Sequence, residues 1–160
     1  NTNTLAATIA QGNSSSWTMY QIGDSNTSTL TAGGSGAVTS SDFDYSATGN
    51  SNVLTWLQGS SSTATSGNQD FVITGNTNNT NIRCETIGCI NNWNIDGNTN
   101  DIDVTQIGTD DKSITFTLTG DSNNIDIDQT TAASGVTDTI VLTAVSTSGV
   151  INLDQCTSGC

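Results

Sequence analysis

The sequence contains no proline, no histidine and only two basic residues, Arg83 and Lys112. Each absence narrows what the protein can be. Proline cannot donate a ladder hydrogen bond, so its absence from 160 residues fits long paired strands. It also argues against a disordered linker, which is usually rich in proline. Fifteen acidic residues bring the formal charge to −13. Nucleic-acid binding is not expected, because phosphate contacts need clustered Lys and Arg. Attraction to an anionic membrane is not expected either. No apolar run approaches the ~20 residues of a spanning helix, so no membrane insertion is expected. Only 5% of residues are aromatic and 32% hydrophobic, which is thin for a conventional core at this length. A repeat fold, in which each unit buries little but stacks on its neighbours, remains. We expect residues 1–160 to form a single domain of this kind. The chain opens on Asn1 rather than methionine, which reads as a processed form whose leader is gone.

What is present is a repeat. Gly-x-x-Asn occurs at Gly23/Asn26, Gly49/Asn52, Gly75/Asn78, Gly97/Asn100 and Gly120/Asn123, with glycine spacings of 26, 26, 22 and 23. An alternating segment precedes each glycine, as in Phe43-x-Tyr45-x-Ala47. A second follows each asparagine, as in Ile125-x-Ile127-x-Gln129. The two segments of a unit begin 11 residues apart in every case. A sixth unit keeps the spacing without the motif (Ile140-x-Leu142-x-Ala144, then Ile151-x-Leu153-x-Gln155), and Ala7-x-Ile9-x-Gln11 is a half unit. The return connections vary in length, so one corner is fixed and the other tolerates insertion.

Period-two segments of this length are strands. Two strands and two turns per unit make one coil of an all-β β-solenoid. We expect about six and a half two-stranded coils, forming two facing parallel sheets with amyloid-like stacking. The glycines suit a tight corner where φ is positive. The predicted core is Trp17, Met19, Phe43, Tyr45, Trp56, Phe71, Trp93, Phe116, Ile125, Ile127, Leu142 and Leu153. Stacking places equivalent residues directly above one another. Asn26, Asn52, Asn78, Asn100 and Asn123 form one column; Gln58, Gln106, Gln129 and Gln155 form another, interrupted by Cys84. Amides can donate to one neighbour and accept from the other, so such columns hold coils in register.

These positions resemble the curlin repeat of bacterial curli fibres, Ser-x5-Gln-x-Gly-x2-Asn-x-small-x3-Gln. The first unit matches as Ser15-x5-Gln21-x-Gly23-x2-Asn26-x-Ser28, and the later part recurs through Gly49…Gln58, Gly97…Gln106 and Gly120…Gln129. The likeness departs at the first strand's last position, where Ala47, Ile73, Ile95, Leu118 and Ala144 stand in place of glutamine. The resemblance implies an extracellular, self-assembling, amyloid-like fibre subunit.

Four cysteines allow three pairings. Local pairs, Cys84–Cys89 and Cys156–Cys160, are favoured because positions 84 and 156 lie three coils apart. Disulfides fit an extracellular location. A four-cysteine zinc site is disfavoured by the same separation. On the outer face Asp103 and Asp126 share a position in consecutive coils, as do Asp128 and Asp154. Calcium could bridge such carboxylates, although a solvated acidic face is the plainer reading. No other cofactor is expected. Catalysis finds little support: there is no histidine, no Gly-x-Ser-x-Gly and no phosphate loop.

The expected function is therefore a structural subunit of an extracellular curli-like fibre. Its partner is another copy of itself, stacked head to tail through open solenoid ends, with surface or matrix contacts possible. The alternative is a β-solenoid adhesin or virion appendage module that binds surface glycans, with Tyr20 and Leu57 as outward apolar candidates. An ice-binding Thr array is demoted, because Thr29/Thr31 and Thr115/Thr117 are not repeated in the intervening coils.

Overall fold

The alternating segments become strands, all paired in parallel. A computed structural model of the protein describes residues 1–10, 12–14, 16–33, 38–59, 65–85, 87–109, 111–131 and 136–157. Gln11, Ser15 and Cys160, which figure in the sequence reading, lie outside the described residues. The strands are β1 (Thr2–Ile9), β2 (Gly12–Asn13), β3 (Ser16–Ile22), β4 (Ser25–Ala32), β5 (Val38–Thr48), β6 (Ser51–Gln58), β7 (Thr65–Thr74), β8 (Thr77–Glu85), β9 (Ile87–Asp96), β10 (Thr99–Gly108), β11 (Ser113–Thr131) and β12 (Thr139–Thr157). No helix occurs among the described residues.

One face stacks β3, β5, β7, β9 and the first halves of β11 and β12. The other stacks β1, β4, β6, β8, β10 and the second halves of β11 and β12. This is a β-solenoid with two facing parallel sheets. The chain makes five full turns from the corner at Gly23 to the equivalent Ser146, with arms beyond each end. Because β11 and β12 run unbroken through the fixed corner, the pairing forms one continuous path up one face and down the other.

Register follows the Asn column. Asn3, Asn26, Asn52, Asn78, Asn100 and Asn123 are successive partners, and Gly149 takes the last place. A slip of one residue would turn each strand's apolar set to solvent, so the buried face and the column enforce the same register.

The core lies between the sheets. Phe43, Tyr45, Trp56, Phe71, Trp93, Phe116, Ile125 and Ile127 are buried as expected. Aromatic rings run through it in continuous contact. Trp17 stacks on Phe43 at 4.8 Å, Phe43 meets Trp56 edge-on at 4.7 Å, and Phe71, Trp93 and Phe116 follow at 6.0 and 5.8 Å. These separations suit offset-stacked and edge-to-face pairs. Four predicted core residues depart from full burial. Trp17, Met19 and Leu142 are only partly buried against the core. Leu153 is 46% exposed. All four sit on end coils and have a stacked neighbour on one side only.

Candidate functional site

The repeated corner is where the fold is most tightly specified. Each corner asparagine faces inward at the start of a second-face strand. Asn26, Asn52, Asn78, Asn100 and Asn123 are all buried. Asn26 Nδ2 donates to Asn52 Oδ1 at 2.8 Å, Asn52 to Asn78 at 2.9 Å, Asn78 to Asn100 at 2.8 Å and Asn100 to Asn123 at 2.8 Å. Asn3 begins the ladder by donating to Asn26 Oδ1 at 3.1 Å. Each Nδ2 also reaches backbone carbonyls. Asn26 meets Gly23 of its own coil and Thr48 of the next, and Asn100 likewise meets Gly97 and Thr119. A polar group that would be costly to bury alone is thus satisfied by its copies.

The corner glycines serve a different purpose from the one expected. Gly23, Gly49, Gly75, Gly97 and Gly120 do not have positive φ; among the described glycines only Gly33 and Gly59 do. The requirement is space. A Cβ built on Gly49, Gly75, Gly97 or Gly120 would overlap the carbonyl oxygen of the corner glycine one coil below. At Gly23 it would overlap the Asn3 amide. The left-handed glycines lie at the variable corner instead, just after β4 and β6. There Gly33 N donates to Ile9 O and Gly59 N to Ala32 O, each at 2.9 Å.

The glycine-corner sequence also holds a ladder that the Gly-x-x-Asn reading passed over. The residue directly after the glycine is Asn50, Asn76 and Asn98 in three successive coils. Asn98 Nδ2 donates to Asn76 Oδ1 at 3.4 Å, and Asn76 Nδ2 to Asn50 Oδ1 at 3.1 Å. This exposed ladder donates in the opposite sense to the buried one.

The glutamine column is real but broken. Gln155 Nε2 donates to Gln129 Oε1, and Gln129 Nε2 to Gln106 Oε1, both at 2.8 Å. Cys84 then takes the register position below Gln106. Gln106 Nε2 is left without a partner, and Gln58 turns across the core to accept from Gln69 Nε2. Asn91, stacked on Gln69, has neither amide atom paired. The expectation that the column satisfies itself therefore fails at the cysteine. One further buried polar group joins the faces in the first coil. Gln21 Oε1 accepts from Ser28 Oγ at 2.5 Å and from Tyr45 Oη at 3.0 Å. Burial raises the Tyr45 hydroxyl above its ordinary range, and the Ser28 hydrogen bond works against that rise.

Cys84 and Cys89 form a disulfide across the variable corner, their Cα atoms 6.6 Å apart. The proposed partner of Cys156, Cys160, lies outside the described residues. Asp103 pairs in register with Asp126, and Asp128 with Asp154, on the outer second face. Loss of solvation pushes the Asp128 carboxyl above the usual carboxylate range, and Asp126, Asp154 and Asp103 add repulsion. Asp103 accepts from Asn81 Nδ2 at 3.3 Å. Among the described residues, no group of three or more His, Cys, Asp or Glu is gathered closely enough to hold a metal ion. Arg83 stands in the column of Thr105, Asp128 and Asp154, but its guanidinium pairs with Glu85 on its own strand. Tyr20 is 75% exposed on the first face, and Ile22, which the sequence reading passed over, is exposed beside it.

The two end coils complete the candidate surface. At the C-terminal end Ile151 and Leu153 stand in the register of buried Ile125 and Ile127, yet each is 46% exposed. At the other end Leu5, Ala7 and Ile9 of β1 are half-buried against the core. Compared with known proteins, the chain matches no protein family, no curated protein and no solved structure.

Proposed function

We propose that the protein is a structural subunit of an extracellular, amyloid-like fibre of the curlin type, and that its subunits stack through their solenoid ends. One observation carries the reading. The last coil keeps the inward-facing apolar pattern and the column glutamine of the inner coils, Gln155, while leaving Ile151 and Leu153 half-exposed. A second copy stacked there would cover those side chains and pair the open edge of β12. Such a contact is head-to-tail and does not close on itself, so it propagates. With a charge of −13 on each copy, sideways association is repulsive at low salt, which favours axial growth. The Cys84–Cys89 disulfide supports an oxidising, extracellular setting.

Leu153→Pro tests this. Proline removes a ladder donor from the terminal strand and leaves the middle coils untouched. The variant should keep its β-signal by circular dichroism and fail to elongate in electron micrographs. Filaments of normal length would remove the ends as the interface. The alternative, a glycan-binding adhesin or virion module using exposed Tyr20 and Ile22, would then be the better reading.

A further inference from the structure

The one lysine of the chain is buried. Lys112 precedes β11 at the variable corner and its side chain is 0% exposed; Asp138, the corresponding residue before β12, is 5% exposed. The two sit one coil apart in direct register. Thr139 N donates to Lys112 O at 2.8 Å, and Lys112 N donates to Asp138 Oδ1 at 3.1 Å. Lys112 Nζ lies 3.7 Å from Asp138 Oδ1. It also donates to Gly108 O at 3.3 Å and to Thr131 Oγ1 at 2.6 Å. The Thr131 hydroxyl in turn donates to Asp138 Oδ2. Asp111, next to Lys112 in the chain, accepts from the Thr137 amide.

This is an amine donor, a hydroxyl relay and a carboxyl acceptor closed into one water-poor site. A buried ion pair is an expensive way to hold a corner, because both charges lose their hydration. A neutral amide between the same two side chains would hold the corner without that cost. Fixing two reactants in contact also raises their effective concentration, on the order of 10⁵ M or more in well-oriented cases.

We propose that Lys112 and Asp138 condense into an isopeptide cross-link that staples the last coil to the one before it. The ammonium first passes one proton through the Thr131 hydroxyl to Asp138 Oδ2, which leaves an amine and a carboxylic acid. Nζ then attacks Cγ. The Nζ–Cγ bond forms and the Cγ–Oδ2 bond breaks. Oδ2 departs as water, carrying the relayed proton and a second proton from the nitrogen. Ammonium plus carboxylate gives amide plus one water, so no oxidant, cofactor or second substrate is consumed. The cross-link does not depend on the fibre reading, but it places a covalent lock next to the end through which fibre growth would run.

The test is the intact mass of the purified, reduced and denatured full chain, followed by fragmentation of its peptides. The wild type should weigh one water less than its sequence requires, and fragmentation should join Lys112 to Asp138. Lys112→Arg, which keeps the charge but not the amine, should return to full mass. Wild-type protein at full mass in a preparation with a native β-signal would overturn the proposal. So would a lost water that maps elsewhere, for instance to a succinimide at the Asp96–Gly97 sequence. The wild-type peptide map decides the matter whether or not the arginine variant folds.

Discussion

Ile125 and Ile127 are fully buried, whereas Ile151 and Leu153, one coil further on in the same register, are each 46% exposed. The residue types are almost identical and the same sheet lies across from them. What differs is a neighbour along the axis. Burial in this fold therefore comes from the coil above and the coil below as much as from the facing sheet. The Asn ladder stops one coil earlier, for want of an amide rather than of a neighbouring coil. Asn100 donates both to backbone and to Asn123, while Asn123, beside Gly149, donates to Gly120 O alone. An end coil is an inner coil whose interactions are half made.

The difference between middle and end can be broken by substitution. The largest effect should come from Trp93→Ala, in a ring that stacks on Phe71 and meets Phe116 edge-on. Truncating a buried Trp costs roughly 3–5 kcal/mol, and the lower figure is expected because the buried Trp93 Nε1 has no partner to lose. Denaturant unfolding reads this directly; a cost below ~1 kcal/mol would mean the ring is not a core residue. Next comes the ladder. Asn78→Ala breaks two ladder bonds at once and leaves the buried Asn100 Oδ1 without its donor, so it should cost about 1–3 kcal/mol. Asn123→Ala breaks only one ladder bond, from Asn100 Nδ2, which keeps its backbone partners, and should cost clearly less in the same assay. Equal costs would deny that the ladder acts as a chain. Leu153→Ala should cost the monomer under ~1.5 kcal/mol, since half of the side chain already meets solvent.

The smallest effect should be a gain. Folding raises the Asp128 carboxyl, through lost solvation and then through Asp126, Asp154 and Asp103. The folded chain therefore holds that proton more tightly than the unfolded chain does. The charge costs stability at neutral pH; the cost fades as the pH falls through the raised folded value and is gone below the ordinary aspartate value of about 4. Asp128→Asn should raise stability at pH 7 and low salt, by the ~0.2–1 kcal/mol that a like-charged cross-strand pair carries. At pH 3 the gain should vanish, and in high salt it should shrink as the repulsion from Asp126, Asp154 and Asp103 is screened. A loss of stability at pH 7 would reverse the assignment.

Much of this architecture was legible because it repeats. The period-two segments, the 11-residue offset and the Asn column each recur, and a pattern imposed by stacking must appear in every coil. The corner glycines were legible in position but not in purpose. Sequence alone does not distinguish a glycine needed for φ from one needed to clear a carbonyl, and the crowding depends on the coil spacing. The end coils were misread for a related reason. Leu153 carries the inner pattern, and only its place in the stack exposes it. Each return loop solves its own problem, so the variable corner was least readable. Lys112 lies within "TDDKS", which reads as a solvated turn, and nothing local announces that Thr131 and Asp138 enclose it. Gln69 and Asn91 fall on inward positions of the alternation, but that Gln69 meets Gln58 while Asn91 stays unpaired depends on contacts across the core.

The claim on which the rest depends is that the coil-on-coil contact inside one chain is also the contact between chains. Diffraction from aligned assemblies of the wild-type protein tests it most directly. If subunits stack through their ends, the ~4.8 Å strand spacing must lie along the filament axis, with strands perpendicular to it. Filaments whose strand spacing lies across the axis, or a protein that stays monomeric at high concentration, would contradict the account.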